Sequence, residues 1–243
     1  MPPTTALITG GARRIGAAIT RALARRGLTV LIHHGHSPNE AEALAQKIIT
    51  DGGEAYPIQA DLADPFAVET LFTQAETLLK GRPVTLLVNN AAIFERNDLS
   101  DTPLEQWQRH LAINLTAPFL LMRDFARHLP EEHTGQIIQI IDRHADRPRP
   151  HYAAYSAAKS ALWTLTRQAA LEMAPRIRVN AIGPGPILPA PGDTGEQFAR
   201  ISAATPLQCA GNLEDITRTI HFLIDHDFLT GELIRVDGGE HLR

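Results

Sequence analysis

The chain has 243 residues, enough for a self-sufficient core and a better fit to one α/β domain than to two. Hydrophobic residues make up 44% and charged residues 21%, which excludes general disorder and low complexity. Lys plus Arg total 23 against 27 Asp plus Glu, a formal charge of -4, so nucleic acid is not an expected partner.

Cys209 is the only cysteine and cannot close an internal disulfide, which suits a reducing compartment. Met1-Pro2-Pro3 leads into an apolar run with no basic leader, and no apolar segment approaches bilayer length. A cytoplasmic location with no membrane partner is expected. Only three of the basic residues are lysines, Lys47, Lys80 and Lys159. Ammonium and guanidinium are not interchangeable in a pocket, which directs attention to Lys159.

Apolar runs alternate with helical periodicity along the chain. Thr5 to Thr9 reads as a strand, Ile15 to Arg26 as a helix and Leu28 to His33 as a strand. Pro38 to Thr50 reads as a helix with Ser37 as its cap, Glu54 to Gln59 as a strand, Phe66 to Leu79 as a helix and Val84 to Val88 as a strand. A long helix from about Leu104 to His128 follows, then a strand Gln136 to Ile141, a helix from about Tyr152 to Met173 and a strand Arg178 to Ile182. Gly183 to Pro191 should be irregular, the stretch to Ala210 a partly helical flap, and Ile216 to Ile224 and Leu233 to Val236 a last helix and strand. Strands spaced by helices of ten or more residues imply βαβ units and a parallel sheet covered on both faces. The expected architecture is one α/β domain over 1–243, a three-layer sandwich around seven parallel strands.

The first strand runs into Thr9-Gly10-Gly11-Ala12-Arg13-Arg14-Ile15-Gly16 and then a helix. Such a turn lets backbone N–H groups approach a pyrophosphate at a helix N-terminus. An NAD site usually has an acidic residue after the second strand, but here Ile32-His33-His34-Gly35-His36-Ser37 has none before Glu40. Arg13, His36 and Ser37 instead suit a 2'-phosphate, so NADPH is the expected cofactor.

Asn89-Asn90-Ala91-Ala92 follows the fourth strand, where a loop can wall a cofactor site or simply turn the chain. Tyr155 and Lys159 stand at i and i+4 of a helix and face one way. A lysine beside a tyrosine stabilises phenolate and can lower the phenol pKa. No cluster of metal ligands is read, so no metal is expected.

Taken together, the motifs Thr9-Gly10 to Gly16, Asp61-Leu62, Asn89-Asn90-Ala91, Asn114, Tyr155 to Lys159, Asn180 and Pro184-Gly185 resemble the short-chain dehydrogenase/reductase family from Thr5 to the C-terminus. The resemblance implies a Rossmann-type fold with Gly10, Arg13, Arg14, Ile15 and Gly16 around the cofactor phosphates and Asp61 and Leu62 near the adenine. It places Asn90, Ala91, Pro184 and Gly185 along the cofactor and Lys159 on the nicotinamide ribose. Tyr155 would be the proton donor, Asn114 would hold a water of the proton relay, and the assembly would be a homotetramer.

Two positions depart from the ordinary family pattern. Arg14 stands where glycine is usual, and Asp142, thirteen residues before Tyr155, stands where a serine is usual. A serine hydroxyl donates to a carbonyl oxygen, whereas an ionised carboxylate only accepts and repels a developing alkoxide. Both departures resemble the pteridine reductases, including the dihydromonapterin reductases. That resemblance implies NADPH-dependent reduction of a pterin C=N bond, with Arg14 and Phe94 holding the substrate beside Asp142 and Tyr155. The ending Asp237 to Arg243 also resembles the dihydromonapterin branch, and 183–210 is expected to be a substrate lid. His36, Ala92 and Ile93 depart from well-known pteridine reductases, which leaves the preferred pterin open. A carbonyl reductase and a non-catalytic NADP-binding protein are the alternatives.

Overall fold

The computed structural model describes residues 3–242 apart from 146, 148, 149 and 191, together with the backbone but not the side chain of His144. Met1, Pro2 and Arg243 of the expected domain span, and Pro191 of the expected lid, lie outside the described residues.

Seven strands, β1 (Thr5–Ile8), β2 (Thr29–His34), β3 (Ala55–Gln59), β4 (Leu86–Asn89), β5 (Gly135–Ile140), β6 (Ile177–Pro184) and β7 (Leu233–Val236), form one sheet in the order 3-2-1-4-5-6-7. Every pairing is parallel, as the βαβ rhythm requires. Strand residues alternate between two apolar layers. Ala6, Ile8, Val30, Ile32, Leu86 and Val88 face one, while Leu7, Leu31, Leu87, Ile137 and Val179 face the other. Removing both faces from water is the main stabilising contribution, roughly 1.5–3 kcal/mol per large side chain.

On the first face lie α1 (Arg14–Arg25), α2 (Pro38–Thr50) and α9 (Leu213–Asp225), and on the second α3 (Pro65–Glu69), α4 (Leu71–Leu78), α5 (Leu104–Leu111), α6 (Ala117–His128) and α7 (Ala153–Met173). A further helix, α8 (Gly195–Ala203), stands between β6 and α9 in the chain. The order reverses between β1 and β4, where the chain leaves β1 for one side of the sheet and β4 for the other. The ends of those strands therefore open a crevice, the place where open parallel sheets bind ligands.

Three expected elements differ from those observed. The helix Phe66 to Leu79 is two, α3 and α4, which meet at Thr70, where the hydroxyl turns back onto the Ala67 carbonyl at 2.9 Å. The long helix Leu104 to His128 is interrupted by a wide π turn over Ala112–Thr116. Pro118 has no N–H to give the Asn114 carbonyl, and the wider turn absorbs that loss. The third difference is β6, which continues through Gly183 and Pro184, expected to be irregular, because β7 pairs with both. Ser37 does precede α2, but its side chain makes no capping bond. No helix among the described residues is long and apolar enough to cross a membrane.

Candidate active site

Two loops meet where β1 and β4 end. The buried Thr9 hydroxyl accepts from the N–H groups of Asn90 at 2.9 Å and Ala91 at 3.0 Å, and the Asn90 amide donates to the Thr9 and Gly10 carbonyls at 2.9 and 3.2 Å. The glycine turn is fixed from β2 as well. His33, 1% exposed, accepts the Gly10 N–H on Nδ1 at 3.1 Å, which leaves Nε2 to donate to the Ala60 carbonyl, also at 3.1 Å. Burial holds this histidine neutral, with its pKa lowered to about 4. Gly16 admits no substitute, since a Cβ there would stand 2.0 Å from the Gly10 carbonyl oxygen.

Arg14 occupies the left-handed region with φ 53°, a conformation that costs a non-glycine residue on the order of 1 kcal/mol. Its guanidinium crosses the crevice and donates to the Pro189 carbonyl at 2.5 Å, joining the glycine turn to the segment after β6. Strain is thus kept at a position where a long cation replaces the expected glycine.

The crevice deepens into a groove of about 740 Å³. Its floor carries Tyr155 and Lys159 from the first turns of α7, both buried. Tyr155 Oη donates to the Asp142 carboxylate at 2.8 Å. Burial, and then the negative charge of Asp142, push the phenol well above its ordinary pKa, so the group enters any reaction protonated. Lys159 Nζ donates to the Ile140 carbonyl at 2.9 Å and lies 5.8 Å from the Tyr155 ring centre. Desolvation lowers its pKa to about 8 despite Asp142. The expected lowering of the tyrosine pKa by the lysine is therefore not found. Burial and the carboxylate raise the phenol, and the ammonium points at the backbone.

Phe94 stands over the same floor, stacked on Tyr152 with ring centres 4.4 Å apart and edge-on to Tyr155 at 4.7 Å. Gly10, Arg13, Arg14, Ile15, Gly16, Ser37, Asn90, Ala91, Pro184 and Gly185 line the groove with these residues. Arg13 is exposed and reaches Glu40 at 3.6 Å, a pairing worth little in water.

Four expected residues lie outside the lining. His36 is exposed, and His34, at the end of β2, lines the groove instead. Asp61 is exposed and accepts from the Ala63 N–H at 2.9 Å, while the Leu62 side chain belongs to the core. Asn114 is fully buried, and its amide closes on the Ile93 backbone, accepting its N–H and donating to its carbonyl, each at 3.0 Å. It thereby holds the loop that carries Phe94. The sequence reading missed His33, His34 and Tyr152 as site residues. A signal existed for His33, a polar residue ending an apolar strand just where the glycine turn needs an acceptor. Among the described residues, no three His, Cys, Asp or Glu side chains are placed to hold a metal ion.

The family model for short chain dehydrogenase matches residues 4–195. A 3-oxoacyl-[acyl-carrier-protein] reductase of Synechocystis sp. is 36% identical over 240 residues, covering 96% of this chain and 95% of that protein. The crystal structure of the FolM alternative dihydrofolate reductase 1 of Brucella canis complexed with NADP has a TM-score of 0.95 and 41% identity, over 99% of this chain and 94% of that one. A blue fluorescent protein from a metagenomic library, in complex with NADPH, has a TM-score of 0.90 and 37% identity over 98% and 97%. With its parallel sheet, its crevice at the reversal of strand order and its Tyr155–Lys159 floor, this chain belongs to the short chain dehydrogenase family.

Proposed function

We propose that the chain is an NADPH-dependent reductase that adds hydrogen across a C=N bond of a pterin or dihydropterin. The observation that carries this reading is the Tyr155 hydroxyl held on a carboxylate, Asp142, inside a groove also lined by Arg14 and Phe94. A carboxylate accepts N–H bonds from a nitrogen-rich ring and opposes the alkoxide that carbonyl reduction would develop. The likeness to a Brucella protein named as an alternative dihydrofolate reductase agrees with it. The Synechocystis relative named as a 3-oxoacyl reductase favours the second reading, a carbonyl reductase, against which Asp142 speaks.

The groove suits the cofactor. Gly16 permits close backbone approach at the N-terminus of α1, and Arg13 and Ser37 line the end of the groove near β2, where a 2'-phosphate would be met. In this reading Arg14 adds charge at the phosphates, Asp61 and Leu62 border the adenine, Asn90, Ala91, Pro184 and Gly185 follow the cofactor, and Lys159 takes the nicotinamide ribose. When bound, NADPH supplies the hydride for the C=N carbon. Tyr155 gives its proton to the ring nitrogen, Asp142 and Lys159 set the charge around that phenol, and Arg14 and Phe94 orient the ring. Asn114 acts by fixing the Phe94 loop. Residues 183–210 serve as the lid of a single domain spanning the chain, and closure would exclude water.

An NADPH-oxidation screen with dihydrobiopterin, dihydromonapterin, dihydrofolate and simple ketones tests the reading, and a protein that turns over only ketones rejects it. With the preferred pterin, NADPH should exceed NADH by at least about tenfold in kcat/KM, roughly 1.4 kcal/mol, and Arg13→Ala should selectively weaken NADPH use. Equal efficiencies would reject the 2'-phosphate assignment.

The proposed assembly is a homotetramer in a reducing, cytoplasmic setting. Exposed Phe119 on α6 and Leu171 on α7 give those helices apolar surface beyond their sheet-facing sides. Light scattering across a concentration series should give mainly tetramer, and a stable monomer throughout overturns this.

A further inference from the structure

The residues after β7 hold together the end of β6, the segment after α8 and Arg143. Asp237 is buried, and its carboxylate accepts from the Gly239 N–H and the His241 N–H, each at 3.0 Å, with His241 Nδ1 at 2.8 Å. Gly185 lies so close that a Cβ on it would stand 2.5 Å from the Asp237 Cα, which ties the tail to the end of β6. The Gly238 carbonyl accepts from the Leu207 N–H at 3.1 Å, tying it to the segment after α8. The short 3-10 turn Glu240–Leu242 then sets the Glu240 carboxylate on the Arg143 guanidinium, with the two side chains only 19% and 12% exposed. Arg143 follows Asp142 in the chain and lines the groove.

A guanidinium free to choose takes the nearest carboxylate as a two-pronged partner. Were Arg143 to turn to Asp142, its guanidinium would compete with the Tyr155 hydroxyl for the carboxylate and neutralise its charge. The charge of Arg143 already acts on that phenol, opposing the upward push of burial and of Asp142. Glu240 supplies a competing anion from the C-terminal turn. Its second oxygen, Oε2, is buried with no hydrogen-bond partner among the described residues, so its contact with Arg143 is what offsets the burial of that carboxylate.

We propose that Glu240 is a positioning residue for the reaction, holding the Arg143 guanidinium on the C-terminal turn and away from the Asp142–Tyr155 pair. The proposal rests on the reading of Tyr155 and Asp142 as the reacting pair, and its test includes a measurement made without substrate or cofactor.

In Glu240→Gln, kcat should fall at least about fivefold with KM for NADPH within about twofold, using whichever substrate the wild type reduces. In Arg143→Gln/Glu240→Gln no cation is left to turn to Asp142, and the double variant should be at least about twofold faster than Glu240→Gln. Glu240→Asp, which keeps the anion, should lie between. In the ligand-free protein, alkaline absorbance titration should show one phenol of Glu240→Gln ionising before unfolding that the wild type keeps protonated, and it should vanish in Glu240→Gln/Tyr155→Phe. Wild-type kcat in Glu240→Gln, a double variant as slow as the single one, or an unchanged phenol titration overturns the proposal. Should Glu240→Gln fail to fold, Glu240→Asp decides, since it keeps the anion but shortens its reach: a kcat loss of at least about twofold with KM for NADPH unchanged supports the proposal, and wild-type kcat overturns it. A protein that reduces no pterin, yet shows the new phenol ionisation, leaves this role standing and removes only the pterin reading.

Discussion

Asp142→Ser is expected to cut turnover of a dihydropterin by more than about tenfold, a transition-state loss of at least roughly 1.4 kcal/mol, with NADPH affinity nearly unchanged. In the wild type the carboxylate holds the Tyr155 hydroxyl at 2.8 Å, and burial together with its charge keeps the phenol protonated. Serine would restore a donor suited to a carbonyl oxygen, remove the acceptor suited to ring N–H groups and withdraw the charge from the phenol. The ratio of ketone to pterin turnover should therefore rise in the variant. Steady-state kinetics with NADPH and each dihydropterin, for wild type, Asp142→Ser and Tyr155→Phe, measure both effects. Near-wild-type pterin turnover in Asp142→Ser would remove the catalytic role given to the carboxylate.

The sheet was legible because its strands are short, mainly apolar runs between longer helical segments, and pattern alone places them. Pro38 to Thr50 and Leu233 to Val236 match the observed elements residue for residue for this reason. Element breaks were harder to read, because they fall at single side chains, the hydroxyl of Thr70 and the missing N–H of Pro118, inside segments whose periodicity continues. In the groove, the main-chain shape that only glycine permits was legible from spacing, at Gly16 foremost. What periodicity does not carry is which way a polar side chain turns. His34 and His36 look alike in the sequence, yet β2 ends at His34, which lines the groove, and the chain bends after it and leaves His36 exposed. Likewise, Lys159 stands at i+4 from Tyr155 as expected, but its ammonium goes to the Ile140 carbonyl, and burial and the adjacent carboxylate raise the phenol. The pairing of Arg143 with Glu240 joins two residues with 96 positions between them, and no local pattern announces it.

The second large effect belongs to Lys159 and is read as stability as well as rate. Its ammonium is buried on the groove floor, with its pKa lowered from 10.5 to about 8. Below about pH 8 the folded protein carries this charge at a desolvation cost, whereas the unfolded chain holds the same proton in water up to its ordinary pKa. From pH 8 toward 10.5 the unfolded state binds a proton that the folded state has released, so this group makes the protein more stable as pH rises, by up to about 3 kcal/mol. Tyr155 acts in the opposite sense above about pH 10, since its phenol stays protonated in the fold and ionises in the unfolded chain. The window that isolates Lys159 is therefore pH 8 to 10. Urea unfolding of wild type and Lys159→Met across that window should show the difference in stability moving by roughly 2–3 kcal/mol in favour of wild type as pH increases. Turnover should run the other way. The wild-type rate should fall as the ammonium is lost above about pH 8, and Lys159→Met should be slower by about a hundredfold or more at pH 7, with no alkaline limb near 8 of its own. Parallel stability curves for the two proteins between pH 8 and 10 would show that Lys159 keeps its proton in the fold, and the alkaline limb would then have to come from another group.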